Sequence, residues 1–439
     1  MSTLFHIKEH VIEGQHIREY AQATAHSNEE VLKLAVKQYI PKDNPNPEPG
    51  DITIIASHAN GFVKELYEPL WDDLLHACRQ NGVNIRGIWM ADVAWQGQSS
   101  VVNENSLGND PSWFDAARDL LHLTNHFRAQ MPRPLIGMGH SFGGAIIVNL
   151  AYMHPRLFSA LVLIDPVISR AAIFSGPFMP FKTTMGASSA RRDVWPSRAE
   201  AERSVRKNKF YATWDPRAVD KLVQYGYREC PTALYPDRKD GEVTLTTTKH
   251  MECFTYYRPM NLGPRDPVTG KRSFERSAVP DAGVYADEFP NFPWYQAAPQ
   301  QTASRLGELR PPVLWITGQN SSVCTPQSNK ERMDLTGYGW GGSGGAKAGM
   351  VKECVVEGTG HLVAMEKPKV VADQAGIYIG QEMNRWKKEE EVYRKEWLEG
   401  VDDKEKAVMS KEFREMINSL GPESNRRRDG VMAGRPAKL

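Results

Sequence analysis

The chain has 439 residues, with 54 lysines and arginines against 53 aspartates and glutamates. That near-neutral balance leaves no basic footprint for nucleic acid or an anionic membrane surface, and no apolar run approaches the ~18 residues needed to cross a bilayer as a helix. The length suits a large core with an inserted or appended part rather than one minimal domain.

Cys78, Cys230, Cys253, Cys324 and Cys354 are odd in number, widely spaced and free of C-x-x-C pairing. They point to reduced thiols in an intracellular compartment rather than a disulfide frame or a zinc site, and neither a metal nor a cofactor is expected. The start, MSTLFHIKEHVIEG, has no basic n-region or apolar h-region, so no secretory signal is expected.

In chain order, LKLAVKQYIP and DITIIASHANGF read as strands ending in turns, and EPLWDDLLHACRQNG as a helix stopped by glycine. VNIRGIWMADVAWQGQSS is a strand leaving through a polar loop, in which Asp92 is a structural turn residue. DPSWFDAARDLLHLTNHFRAQM is an N-capped amphipathic helix, followed by the strand RPLIGMG, the helix GGAIIVNLAYMHP and the strand ALVLIDP. Alternating strands and helices predict an α/β chain with a mostly parallel central sheet flanked by helices.

From about Val167 the rhythm breaks. Residues 169–307 are rich in Pro, aromatic and basic residues and hold few buried-strand patterns, as expected of a mainly helical cap inserted after the sixth strand, over the carboxyl ends of the sheet. RPPVLWITG and VKECVVEGTG resume the sheet. Residues 1–168 and 308–384 are therefore read as the two parts of the core, 385–420 as a charged helical segment and 421–439 as a polar, flexible tail. GYGWGGSGGAKAG reads as a flexible insert, since it lacks the Gly-Lys-Ser/Thr ending of a phosphate loop.

One short stretch carries chemistry. A strand, then Gly139-His140-Ser141-Phe142-Gly143, then a helix is the setting of a nucleophile elbow, where a strained turn lifts a serine hydroxyl clear of the sheet. A side chain at 139 or 143 would strike the neighbouring helix or strand. Serine needs a base near pH 7, and sheets of this kind order nucleophile, acid and then histidine after the last strand. His361, directly after VVEGTG, holds that place, whereas His140 points the wrong way to relay the Ser141 proton.

The acid is less obvious. The loop after VLWITG, GQNSSVCTPQSN, contains no carboxylate, and Glu331 and Asp334 fall too late, inside the next helical pattern. Asp165, at the end of ALVLID, is therefore the expected orienting carboxylate. Oxyanion donors are expected from the Phe142 backbone N–H and from Asn60 in HANGF, through its backbone N–H or its amide. Ala437-Lys438-Leu439 matches the small-basic-leucine form of a peroxisomal address and implies an import receptor as partner and the peroxisome matrix as destination.

GHSFGG, LVLIDP, EGTGHL, ELYEPLWDDL, DVWPSR, the GGSGG insert and the terminal AKL together resemble the fungal peroxisomal α/β hydrolases. The likeness is strongest to the acyl-CoA hydrolases of the mycophenolic acid pathway, and more distant to peroxisomal lipases and toxin-biosynthesis hydrolases. It implies an α/β-hydrolase fold, and by position it places nucleophile, acid and base on Ser141, Asp165 and His361. HANGF departs from the glycine-rich loop of the nearest relatives, and the cap is the least similar part.

The expected activity is that of a serine hydrolase acting on an acyl-CoA thioester through an acyl-Ser141 intermediate. The basic cap residues Arg191, Arg192, Arg203 and Arg206 are candidates to meet the CoA phosphates, with a solvated helix face the more ordinary reading of each. A carboxylesterase or lipase on oxygen esters is the first alternative, and a non-catalytic binding protein on the same fold the second. A homodimer is left open.

Overall fold

The computed structural model describes residues 4–170, 184–259, 266–269, 281 and 294–419. Two edge strands, β1 (Phe5–Glu13) and β2 (Lys33–Pro41), lead into β3 (Ile52–Ser57), β4 (Ile85–Ala91), β5 (Leu135–His140) and β6 (Ala160–Ile164). Among the described residues from 184 to 295 the strands are short. β7 (Val194–Trp195), β8 (Tyr227–Glu229) and β9 (Val243–Leu245) form one small sheet, and β10 (Arg258–Pro259) pairs with β11 (Trp294–Tyr295). The main sheet then resumes with β12 (Val313–Gly318) and β13 (Val351–Val356), giving the order β1-β2-β4-β3-β5-β6-β12-β13. β1 and β4 run antiparallel to β2, and all other neighbours are parallel.

The parallel strands explain the apolar runs in the sequence. β3, β5, β6 and β12 are buried at every residue, a pattern that needs helices on both faces. The helices α1 (Glu68–Gln80), α2 (Gly97–Val102), α3 (Trp113–His126) and α4 (Phe142–Met153) follow the strands. Ser112 caps α3, its hydroxyl accepting the Phe114 N–H at 3.2 Å. α4 is apolar nearly all round and buried along almost its whole length, with Ile146, Ile147 and Val148 fully inside.

Two elements differ from expectation. β1 was not expected as a strand, because its two-sided exposure breaks the apolar alternation that marks strands with one buried face. α2 stands where a polar loop was expected. Its short span begins at Gly97, whose neighbour Asp92 accepts the backbone N–H groups of Lys64 and Gln98, at 2.8 Å each. The glycine-rich insert is tied down, with Gly339 N–H bonded to Gly307 O at 2.7 Å and Ser343 N–H to Leu309 O at 3.1 Å.

Between β6 and β12 the described α-helices are α5 (Thr184–Ala190), α6 (Arg198–Lys207), α7 (Pro216–Tyr225), α8 (Lys249–Tyr256) and α9 (Ala298–Ser304). A second compact unit spans Asn384–Leu439. Its described part holds the end of the helix Pro368–Tyr393 and the helix Lys411–Ser419, with pairs such as Lys395–Glu391 at 2.7 Å along its surface. Ala437, Lys438 and Leu439 lie outside the described residues. All five cysteines are unpaired, and no described helix is long and apolar enough to cross a membrane.

Candidate active site

Sheet order brings distant residues together. β5, β6, β12 and β13 are consecutive in space, so the loops at their carboxyl ends deliver Ser141, Asp165, the 318–321 turn and His361 to one edge. Register fixes the first pair. His140 lies opposite Ile164, the Ser141 N–H donates to Ile164 O at 3.0 Å, and the Asp165 N–H donates to Ile316 O at 2.7 Å. The last two loops then meet closely, because Gly318 lacks a side chain: a Cβ there would stand 2.1 Å from Gly360 O.

The elbow has the strain its sequence requires. Ser141 and Asp165 are the two non-glycine residues with positive φ among those described, at 59° and 40°. A Cβ at 139 would lie 2.4 Å from Gly143 O, and one at 143 would lie 2.4 Å from Ser57 O at the end of β3. The turn can therefore close only with glycine at both positions.

The hydroxyl, imidazole and carboxylate form one line. Ser141 Oγ–H donates to His361 Nε2 at 2.9 Å, and His361 Nδ1–H donates to Asp165 Oδ1 at 2.6 Å. Ser141 and Asp165 are buried, while the His361 side chain is 25% exposed and so faces the side from which a substrate would come. Asp165 is further held by Ser321 Oγ–H on Oδ1 at 2.6 Å and the Gly318 N–H on Oδ2 at 2.8 Å. Burial by itself would raise the Asp165 pKa, but the hydrogen bond and charge of His361, with those two further donors, hold it below the usual carboxylate value. The carboxylate stays ionised and fixes the Nδ1–H tautomer, leaving Nε2 free to accept a proton.

Ser321 was missed in the sequence. The loop GQNSSVCTPQSN holds no acid, yet through Gly318 and Ser321 it supplies the donors that hold an acid from the adjacent strand. An apparently vacant acid position followed by Ser, beside a strand ending in Asp, was the available signal.

The loop after β3 is clamped from several sides. The N–H groups of Ala59, Gly61 and Phe62 bond to Tyr67 Oη at 2.8 Å, Gln96 Oε1 at 2.8 Å and Ala59 O at 3.1 Å. The Asn60 amide is also committed: Nδ2 donates to Glu252 O at 3.0 Å, and Oδ1 accepts from Gln96 Nε2 at 2.6 Å. Of the two routes expected for Asn60, the side chain is thus occupied, while its backbone N–H makes no hydrogen bond to another described residue. Phe142, the first residue of α4, likewise presents a first-turn N–H that the helix cannot satisfy. The two lie on adjoining segments, for the start of α4 abuts the Ser57 and His58 carbonyls. His140 bonds to Tyr67 and to the His361 carbonyl, not to Ser141, in keeping with its expected exclusion as the base.

The 184–259 segment reaches this same edge. Glu252 O receives the Asn60 amide, the Trp95 indole donates to Thr255 Oγ1 at 2.8 Å, the Asp215 N–H donates to Met365 O at 2.8 Å, and Phe62 packs on Trp214 at 5.3 Å between ring centroids. Three of the four arginines expected to meet phosphates are already neutralised. Arg191 pairs with Glu252 at 2.7 Å, Arg203 with Glu200 at 2.5 Å, and Arg206 with Glu202 and Asp220 at 2.8 Å each. Arg192 instead donates to the Val194 carbonyl and lies over the Trp195 ring, and it has no carboxylate partner among the described residues. Among the described residues no group of three His, Cys, Asp or Glu is placed to share a metal ion.

The chain is similar to known proteins along most of its length. The model of the α/β hydrolase family matches residues 54–374. The chain is 42% identical over 441 residues to the type I acyl-CoA thioesterase mpaH of Penicillium roqueforti, covering 95% of this chain and 96% of that one. It is 41% identical over 448 residues to mpaH' of Penicillium brevicompactum, also a type I acyl-CoA thioesterase, covering 97% and 98%. The peroxisomal α/β-hydrolase Lpx1 of Saccharomyces cerevisiae has a similar fold, with a TM-score of 0.64 at 18% identity over the whole of both chains. By sequence, sheet order and elbow alike, the chain belongs to the α/β hydrolase family.

Proposed function

We propose that the chain is an acyl-CoA thioesterase that works through an acyl-serine intermediate, with Ser141 as nucleophile, His361 as general base and acid, and Asp165 as orienting carboxylate. The observation that carries the reading is the unbroken line from Ser141 Oγ through His361 to Asp165 Oδ1, at 2.9 and 2.6 Å. His361 takes the Ser141 proton as Oγ attacks the thioester carbonyl. The tetrahedral oxyanion is met by the N–H groups of Phe142 and Asn60, each such donor being worth about 3 kcal/mol of barrier. Collapse breaks the C–S bond, and His361 returns its proton to the departing CoA sulfur. Water, deprotonated by His361, then attacks the acyl-Ser141 carbonyl, and the acid leaves as Oγ recovers the proton.

A thioester suits this site because a thiol, with pKa about 8.5, leaves far more readily than an alcohol. Near-full-length similarity to type I acyl-CoA thioesterases supports the same substrate class. The segment 169–307 is read as a cap over the sheet edge that selects the acyl group, with Arg192, which has no carboxylate partner among the described residues, as a candidate to meet a phosphate. The tripeptide Ala437-Lys438-Leu439 is taken as the address read by the peroxisomal import receptor, directing the enzyme to the matrix.

The test is a panel of acyl-CoAs against the matching p-nitrophenyl esters, with free CoA followed in parallel. Preference for the CoA substrates, abolished in Ser141→Ala, is expected. Preference for oxygen esters would make the protein a carboxylesterase, and no turnover of either series would leave only a binding protein.

A further inference from the structure

We propose that His140 is a positioning residue: with Tyr67 it forms an uncharged brace that joins the backbone carbonyl of the base His361 to the loop carrying the oxyanion donor Asn60. This rests on the acyl-transfer reading of the site.

Three bonds make the brace. The Ala59 N–H donates to Tyr67 Oη at 2.8 Å, the Tyr67 hydroxyl donates to His140 Nδ1 at 2.8 Å, and His140 Nε2–H donates to the His361 carbonyl at 3.0 Å. The carbonyl at one end and the N–H at the other leave a single consistent arrangement of protons. Tyr67 gives its only hydrogen to Nδ1, so the ring carries its own hydrogen on Nε2 and is neutral. Adding a proton at Nδ1 would set two donors against each other and break the line.

The surroundings favour that state. Tyr67 is 2% exposed and His140 1%. The titratable groups facing His140 are Tyr67 from the turn before α1, His58 after β3, Asp165 after β6 and His361 after β13. Burial and the charge of His361 together lower the His140 pKa to about 4, while burial raises that of Tyr67, so both keep the brace protonation through neutral pH. Phe62 and Tyr67 flank the ring at 6.2 and 5.9 Å between centroids. A phenylalanine could satisfy the packing but would leave the His361 carbonyl and the Tyr67 hydroxyl without these partners. The brace couples the two halves of the machinery that must share one geometry when the oxyanion forms, and misplacement of either by an ångström can cost about 100-fold in rate.

The test compares His140→Gln, His140→Asn and Tyr67→Phe, each normalised to competent sites by titration with a fluorophosphonate. Labelling of the wild type and its loss in Ser141→Ala establish the underlying reading separately; an unlabelled wild type would defeat that reading rather than the brace. Glutamine places an N–H near the imidazole Nε2, so His140→Gln should keep kcat within about threefold. Asparagine is too short to reach the His361 carbonyl. His140→Asn should lose about tenfold or more in kcat per titrated site at nearly constant KM, with the acid limb of the pH profile displaced. Tyr67→Phe should fall between them. If His140→Asn retains wild-type kcat per site and an undisplaced acid limb, whatever its melting temperature, or if Gln and Asn lose equally, the proposal is overturned.

Discussion

Ser141, Asp165 and His361 hang from the ends of neighbouring parallel strands, and the bonds that fix them are to backbone or to buried side chains. The segment from Thr184 to Pro259 reaches the same edge by other means. It is pinned by charges, including Arg217 on Asp73 at 2.7 Å, Lys221 on Glu68, Arg228 on Glu104, and Arg258 on Asp110 at 2.6 Å. The contrast teaches a division of labour. A sheet edge holds reacting atoms to a fraction of an ångström, while an ion-paired segment can change its side chains and keep its seat. Chemistry is therefore expected to be the property of the first region, and choice of acyl group that of the second.

The largest effect should come from the first region. Ser141→Ala should lower kcat by about 10⁴-fold or more with the melting temperature little changed, and surviving turnover in a steady-state assay would remove the elbow from the mechanism. Asp165→Asn should cost about 10⁴-fold, because an amide permits the wrong imidazole tautomer; a rate near wild type would shift the search to another acid.

The second region should respond in stability rather than in rate. The Arg258 side chain is 3% exposed between Asp110 and Asp281. Arg258→Ala should cost about 3 kcal/mol of unfolding free energy, by removing a buried guanidinium and leaving two partly buried carboxylates unpaired, and denaturant titration reads it. Arg217, about half exposed, should cost under about 1 kcal/mol. A comparable loss for the two would blur the distinction between buried and surface anchors.

Acid should sharpen the comparison further. The folded His140 titrates near 4 and a free histidine near 6.5, so between those values only the unfolded chain binds the proton. Stability is full above about pH 6.5 and falls as pH drops toward 4, by up to about 3 kcal/mol. His140→Gln should flatten that slope, as followed by denaturant midpoints from pH 7 to 4.5. Ser321→Ala should lower kcat about tenfold by removing one donor from Asp165, and an unchanged rate would reduce Ser321 to packing.

Much of this was legible in the residues because it depends on local pattern. G-x-S-x-G between a strand and a helix leaves little choice of backbone, and a histidine after the last strand follows from chain order. Asp165 was reached by elimination, since the other candidate loop held no acid. What stayed hidden depends on sheet order. Ser321 lies 156 residues from the carboxylate it holds, and His140 lies 221 from the carbonyl it braces; neither pairing has a sequence period. The carboxylate partners of Arg191, Arg203 and Arg206 stayed hidden for a related reason. A basic run looks free in sequence, while folding supplied each with a carboxylate, from as close as Glu200 to as far as Glu252.

The most direct measurement is peptide mapping by mass spectrometry of enzyme quenched in acid during turnover of an acyl-CoA. An acyl group carried by Ser141 alone, and absent when that hydroxyl is removed, is the expected result. Acylation at a different side chain, or undiminished CoA release without any adduct, would contradict it.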